Sequence, residues 1–223
     1  MGIENLRYER KFRVEHLPFE SVRQLVRMLP LGLRPSFPER RINNIYFDTP
    51  TLNSYHENTS GTGGRKKFRI RWYGERGWPE GPLNLEIKGK DFDLGQKNYH
   101  QTDTVPEGDL RRLLDAVRKL PGTPPALQAI LANTYLRSYY ATSSGSFRIT
   151  IDRDQRFSGL LWQNLKRFPG RGLPFQAADT AIILELKYDS AFDDDIDEIL
   201  RYLPFRLQKN SKYAQGVELL YLR

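Results

Sequence analysis

Charged and apolar side chains alternate along much of this chain. From Leu6 to Val14 the charged residues Arg7, Glu9, Lys11 and Arg13 occupy every second position, the period of one face of a β-strand. The same period recurs at Lys66 to Gly74, Leu83 to Lys90, Thr134 to Thr142, Phe147 to Arg153 and Thr180 to Tyr188. Further strands are expected at Arg41 to Asp48, stopped by Thr49-Pro50, at Tyr99 to Val105, and as a last short piece at Phe205 to Gln208. Helical spacing takes over elsewhere. Pro18 opens a helix to about Leu29 with Val22, Leu25, Val26 and Leu29 on one side, and Glu107 to Leu120 repeats the pattern with Leu110, Leu113, Leu114 and Val117. A shorter helix is expected from Pro125 to Ala132, another from Asp193-Asp194-Asp195 to about Tyr202, and a terminal one from Ser211 to Leu220. Pro30 to Pro38, the polar turn Thr59 to Gly64, Gly77 to Pro82 and Ser143 to Ser146 read as connections, and Phe157 to Phe175 carries no assignable period. No linker divides the chain, so a single domain over 1–223 is expected.

Sorting the strands by parity puts Glu9 and Lys11, then Lys67, Arg69 and Arg71, then Glu86, Lys88 and Lys90 on one kind of face. Later strands add Tyr135, Arg137 and Tyr139, then Arg148, Thr150 and Asp152, then Glu185 and Lys187. Phe68, Ile70, Trp72, Leu85, Ile87, Ile149, Ile151, Leu184 and Leu186 turn the other way. The ordinary reading is an antiparallel sheet with one wet side. Two features pull away from it. Arginine, the residue suited to forked recognition of phosphate oxygens, recurs on these faces. The strands are also numerous enough to close a barrel, with helices covering the outer apolar faces. A tunnel of like charges repels itself unless carboxylates or an anion offset it. Glu-x-Lys, spelled at Glu9-Arg10-Lys11, Glu86-Ile87-Lys88 and Glu185-Leu186-Lys187, sets an acid about 7 Å from a base on one face.

Composition narrows the chemistry. Thirty-five basic against 27 acidic side chains give a net charge of +8, which favours an anionic partner without choosing among nucleic acid, nucleotide, phosphate and membrane surface. The chain has no cysteine, which excludes disulfides and thiolate catalysis and fits a reducing compartment. No apolar run approaches the ~20 residues that cross a bilayer, and Met1 to Arg13 is too charged for a signal peptide, so a cytoplasmic domain is expected. His16, His56 and His100 are scattered and read as incidental. Gly61-Thr62-Gly63-Gly64-Arg65-Lys66-Lys67 lacks phosphate-loop spacing and precedes a strand, so it reads as a hairpin turn. The Asp193 to Asp195 run suits a helix N-terminus better than calcium. Basic strands with Trp72, Tyr73 and Trp78 could contact single-stranded nucleic acid, but Trp72 turns away from the arginines' face, which argues against it.

Tyr8-Glu9-Arg10-Lys11-Phe12, Tyr46-Phe47-Asp48-Thr49, Lys67-Phe68-Arg69-Ile70-Arg71, Leu85-Glu86-Ile87-Lys88, Leu184-Glu185-Leu186-Lys187 and Ser211-Lys212-Tyr213 follow one another in an order that resembles the VTC domain. That is the polyphosphate-polymerase branch of the triphosphate tunnel metalloenzymes, or CYTH-like superfamily, and the resemblance covers nearly the whole chain. It implies an α+β fold, an antiparallel β-barrel of about eight strands with helices packed outside, whose tunnel binds a triphosphate. Lys11, Arg69, Arg71, Lys88, Arg137 and Lys212 would be the catalytic phosphate ligands. Tyr135, Arg148, Lys187 and Ser211 would add substrate contacts. Glu185 would hold Mn²⁺ or Mg²⁺, with Glu9 and Glu86 beside it. The broader superfamily opens with Glu-x-Glu-x-Lys, and here Arg7 takes the first acidic position. One fewer carboxylate leans toward a polymerase, which moves the terminal phosphate of a nucleoside triphosphate, ATP foremost, onto inorganic polyphosphate. A metal-dependent tri- or polyphosphatase in the same tunnel and a non-catalytic polyphosphate-binding module are the alternatives. Fungal relatives join the domain to a phosphate-sensing module and membrane helices, for which this chain has no room. A membrane or other protein is a candidate partner.

Overall fold

A computed structural model describes residues 7–75, 78, 82–91, 94–104, 109–160, 175–194 and 196–222. The strands are β1 (Arg7–Val14), β2 (Arg34–Asp48), β3 (Arg65–Tyr73), β4 (Pro82–Asp91), β5 (Leu94–Thr104), β6 (Gln128–Ala141), β7 (Phe147–Gly159), β8 (Ala177–Asp179) and β9 (Ile182–Asp189). The helices are α1 (Phe19–Met28), α2 (Asn53–Ser60), α3 (Leu110–Arg118), α4 (Ile196–Leu200) and α5 (Lys212–Tyr221). Hydrogen bonds order the strands β1-β9-β7-β6-β2-β3-β4-β5, with β8 on β7. The expected α+β class, an antiparallel sheet of about eight strands with helices against it, is the one adopted. Contacts gather into two compact units: 1–40, 135–155 and 179–210 form one, and 41–134, 156–178 and 211–223 the other.

In the first unit β9 lies between β1 and β7, with Lys11 and Thr150 both opposite Glu185, and Glu9 and Arg148 both opposite Lys187. Because side chains alternate, this register sends Phe12, Val14, Ile149, Ile151, Leu184 and Leu186 to the other face. There they form one core with Val22 and Val26 of α1 and Ile196 and Ile199 of α4. Each such buried side chain stabilises by roughly 1.5–3 kcal/mol, enough to fix which face is dry. The chain beyond α4 returns along β1: Leu207 bridges Phe12, and the Gln208 amide donates to the Lys11 carbonyl at 2.9 Å.

In the second unit β3 sets Arg71 opposite Asn44 and Arg69 opposite Tyr46, while Glu86 and Lys88 of β4 face Arg69 and Lys67. The apolar side of these strands (Ile45, Phe47, Phe68, Ile70, Leu85 and Ile87) packs against Leu110, Leu113, Leu114 and Val117 of α3. Asp109 caps α3 by accepting from the Arg112 amide at 2.9 Å. Helix α5 approaches closely at Gly216, where a Cβ would stand 2.4 Å from Leu131 and 2.8 Å from Phe157. Asp48 ties three elements together. Its carboxylate, 1% exposed, accepts from the amides of Thr49 (2.7 Å), Ser54 (2.9 Å) and Tyr55 (3.0 Å) and from the Tyr213 hydroxyl (2.6 Å). It therefore caps α2 from four residues upstream of the N-cap, Leu52, whose backbone is left-handed at φ 55°.

Several sequence expectations need correction. Pro30 to Pro38 is not all loop, because β2 already begins at Arg34. The polar turn at Thr59 to Gly64 is in part helix α2, whose cap lies outside the local sequence at Asp48. The shorter helix from Pro125 to Ala132 is absent: Gln128 onward is β6, a strand whose residues 129–135 are buried on both faces, so alternation is lost. Strand β5 starts at Leu94, five residues before Tyr99. The helix expected from Asp193 begins at Ile196, after a 3₁₀ turn at Ser190–Phe192. The strand at Phe205 to Gln208 is reduced to the single Leu207 bridge. Of Phe157 to Phe175, the first three residues continue β7, and 161–174 lie outside the described residues, as do 107, 108 and 195.

Replacing Asp48 leaves the amides of Ser54 and Tyr55 and the Tyr213 hydroxyl, all on buried residues, without their acceptor. Asp48→Ala is expected to lower stability by at least ~3 kcal/mol, and Tyr213→Phe by ~1–2 kcal/mol. Both are read from urea unfolding midpoints with an unchanged denaturant slope. A loss below ~1 kcal/mol in the alanine variant would show that the α2 amides find other acceptors.

Candidate active site

Four charges from β1 and β9 close into a ring in the first unit. Lys11 Nζ lies 2.6 Å from Glu9 Oε1 and 3.7 Å from Glu185 Oε2. Lys187 Nζ lies 2.8 Å from Glu185 Oε1 and 3.3 Å from Glu9 Oε2. Each carboxylate thus gives one oxygen to each ammonium, which the two Glu-x-Lys repeats achieve because Lys11 opposes Glu185 and Glu9 opposes Lys187 in register. The Lys11 ammonium also reaches the Asn210 carbonyl at 3.3 Å. Side-chain exposure runs from 12% at Glu185 to 43% at Lys187, so the ring has a deep and a shallow side.

Beside the ring, Arg137 of β6 makes a forked pair with Asp152 of β7, at 2.5 and 2.6 Å, with its guanidinium 5.3 Å from the Tyr135 ring centroid. Thr150, opposite Glu185, has a buried hydroxyl oxygen with no hydrogen-bond partner among the described residues. Burial opposes every charge here, and the neighbours outweigh it. Burial would raise the Glu185 carboxyl, but Lys187, Lys11 and Arg137 hold it well below the usual carboxylate range. Burial and Glu185 would raise Glu9, yet Lys11 and Lys187 bring it down. Burial would lower Lys11 and Lys187, and the two glutamates raise both. Arg137 is likewise raised against burial, by Tyr135, Asp152 and Glu185.

The second unit carries its own charged face. Arg69 is paired with Glu86 through Nε at 3.1 Å and through its second nitrogen, and its guanidinium lies 6.0 Å from the Tyr46 ring centroid. Arg71 Nε donates to the Asn44 amide oxygen at 3.0 Å, and Asn44 itself donates to Asn133 at 2.8 Å. Lys67 Nζ reaches Ser211 Oγ at 3.1 Å, at the start of α5, where Lys212 occupies the first turn. Lys88 faces Lys67 across β3 and β4.

Of the residues singled out from sequence, the first unit therefore gathers Glu9, Lys11, Glu185 and Lys187 into direct contact, with Arg137 and Tyr135 together beside them and Arg148 opposite Lys187 on a more exposed part of the same face. The second unit pairs Arg69 with Glu86 and holds Arg71, Lys88, Ser211 and Lys212 on other partners or positions. Sequence reasoning placed Asp152 and Thr150 on the charged face without giving either a role, and Asp48 was visible only as part of Tyr46-Phe47-Asp48-Thr49. Parity could have paired Arg137 with Asp152, since the Phe147 hairpin sets their register. Nothing in the sequence signals that Asp48 caps a helix. Among the described residues no three His, Asp or Glu side chains form a metal cluster. Glu185 and Glu9 nonetheless offer hard oxygen donors of the kind Mg²⁺ and Mn²⁺ take, which fits a cation that keeps waters and completes its shell with phosphate.

Comparison with known proteins bears on this arrangement. A family model, the VTC domain, matches residues 6–221. No curated protein matches. Among solved structures, a Vibrio parahaemolyticus protein provisionally assigned as an adenylate cyclase superposes with a TM-score of 0.54 at 14% identity, covering 96% of this chain and 98% of the other. A protein of Pyrococcus horikoshii OT3 gives 0.50 at 17% identity, covering 95% and 96%. At these identities the likeness is one of fold.

The ring makes a pH prediction whose sign follows from its members. Carboxyls held low in the fold contribute stability that is present at neutral pH and lost as pH falls below about 4. The raised lysines contribute below about pH 10 and lose that contribution above it. Denaturant unfolding across pH should therefore show an acid limb that is shallower in Glu185→Gln than in the native protein. Identical limbs would mean the ring is not populated in solution.

Proposed function

The chain belongs to the VTC domain family, of the triphosphate-tunnel class, and from that premise we propose that it is a polyphosphate polymerase. It moves the terminal phosphate of a nucleoside triphosphate, ATP first among them, onto the end of a growing inorganic polyphosphate chain and releases the nucleoside diphosphate. The observation that supports this reading best is the alternating ring of Glu9, Lys11, Glu185 and Lys187 beside the Arg137–Asp152 pair. Phosphoryl transfer asks the protein to align oxygens and to neutralise their charge, with little covalent work. A ring of two acids and two bases is suited to that through an exchange of partners. Lys11 and Lys187 would turn from the carboxylates to phosphate oxygens, and Glu185 and Glu9 would then be the residues to hold Mg²⁺ or Mn²⁺. The metal, when bound, supplies positive charge to the phosphate oxygens.

Arg137 stays forked to Asp152 and presents its remaining N–H groups, while Tyr135 and the unpartnered Thr150 hydroxyl supply neutral contacts. Arg148 lies toward the shallower side of the same face. In the second unit Arg69, Arg71, Lys88, Ser211 and Lys212 are assigned to phosphate on the family resemblance, and Glu86 serves as the partner that orients Arg69. Arg7 favours synthesis over hydrolysis: it holds Asp189 at 2.9 Å and so adds no carboxylate at the head of β1. A cytoplasmic setting with a membrane or other protein as partner completes the reading. Among the described residues no helix is long and apolar enough to cross a membrane.

Incubation with ATP and Mn²⁺ followed by gel electrophoresis separates the readings. Acid-labile chains retained on the gel are expected, whereas orthophosphate alone would make the protein a hydrolase. Tight polyphosphate binding without turnover under any metal would make it a binding module. Lys212→Ala and Arg69→Ala are each expected to cut turnover at least tenfold, the scale of a charge-assisted contact of ~1.5–3 kcal/mol. Native turnover in both variants would remove these residues from the substrate.

A further inference from the structure

One surface feature of the first unit is not used by the chemistry above. The opening of β2, Arg34 to Arg40, is exposed throughout, yet Pro35 and Pro38 hold it extended and Phe37 stands out from it at 59% exposure. Phe37 meets Tyr139 of β6 edge-on, with ring centroids 5.8 Å apart at 75°. The Arg40 guanidinium lies over both, 5.5 Å from the Phe37 centroid and 5.0 Å from that of Tyr139. One guanidinium therefore lies against two aromatic rings. Glu39, next to Arg40, anchors the segment by accepting from Ser138 and Arg153, each at 2.6 Å.

A lone exposed phenylalanine needs no explanation. Three π-bearing groups locked together beside a phosphate-type site are a different case. Tyr139 is two residues along β6 from Arg137 and so shares its face at a distance of about 7 Å. A ligand of nucleotide length can therefore touch both positions. Aromatic rings and arginine planes stack on bases without regard to the base's hydrogen-bonding edge. Resting on the phosphate reading given above, we propose that Phe37, Arg40 and Tyr139 form the nucleobase platform of this site. They take the heterocycle of a nucleoside triphosphate whose phosphates lie toward Arg137 and Lys11. The same platform distinguishes a nucleotide donor from a bare polyphosphate chain, which has nothing to stack.

Calorimetric titration of the protein with ATP and, separately, with inorganic tripolyphosphate tests this without relying on turnover. Phe37→Ala and Tyr139→Ala are expected to weaken ATP binding about tenfold, within the range set by loss of one base-stacking contact. Tripolyphosphate affinity should stay within about twofold, and Tyr139→Phe should retain ATP affinity because the ring remains. Phe37 is exposed, so its truncation tests the proposal even where Tyr139→Ala folds poorly. Equal weakening of both ligands, or unchanged ATP affinity in Phe37→Ala, overturns the platform and leaves the phosphate site standing. A native protein that binds neither ligand overturns the phosphate site and the platform with it.

Discussion

The alternating ring of two glutamates and two lysines depends on a single strand register. β9 lies between β1 and β7, and one residue of slip on either side would send Leu184 and Leu186 to the charged face and Glu185 into the core. The apolar side enforces the register, because α1 and α4 cover it and leave no room for a carboxylate. Packing on one face therefore sets electrostatics on the other. Each charge of the ring is held ionised against its own burial by the charges beside it. Their alternation lets lysines concentrate on one surface without repelling one another, and each is held near a partner it can leave.

Much of this was legible in the sequence, and the reason is physical. A period of two survives in any strand with one dry face, so β1, β3, β4, β7 and β9 announced themselves along with the parity of every charged residue on them. Legibility failed where a strand has no wet face or where the stabilising partner is remote. Ala129 to Tyr135 is buried almost throughout, so the start of β6 shows no alternation and reads as helix. Helix α2 has neither a local cap nor an apolar stripe, and its N-terminus depends on Asp48. In the candidate site two of the three Glu-x-Lys spellings oppose one another in register and build the ring. The third, at Glu86, is drawn to Arg69 by the register of β3 against β4.

Asp48 and Tyr213 link this fold logic to the site in the second unit. Burial first, and then the adjacent Asp48 carboxylate, push the Tyr213 phenol far above its ordinary pKa, so it remains a donor at any accessible pH. That bond fixes α5, and the first turn of α5 is where Ser211 meets Lys67 and where Lys212 stands. A carboxylate that touches no expected substrate group thus determines where two such groups can be. Gly216 allows the same helix to sit this close, since any side chain there would meet Leu131 and Phe157.

The returning segment around Leu207 and Gln208 has a consequence for self-association. β1 ends the strand order and would otherwise offer a row of unpaired amides and carbonyls around Phe12 and Lys11. A row of that kind templates edge-to-edge addition of a neighbouring molecule. With the chain folded back over it, growth of the sheet into a ribbon of copies is blocked at this margin until the strap is peeled away.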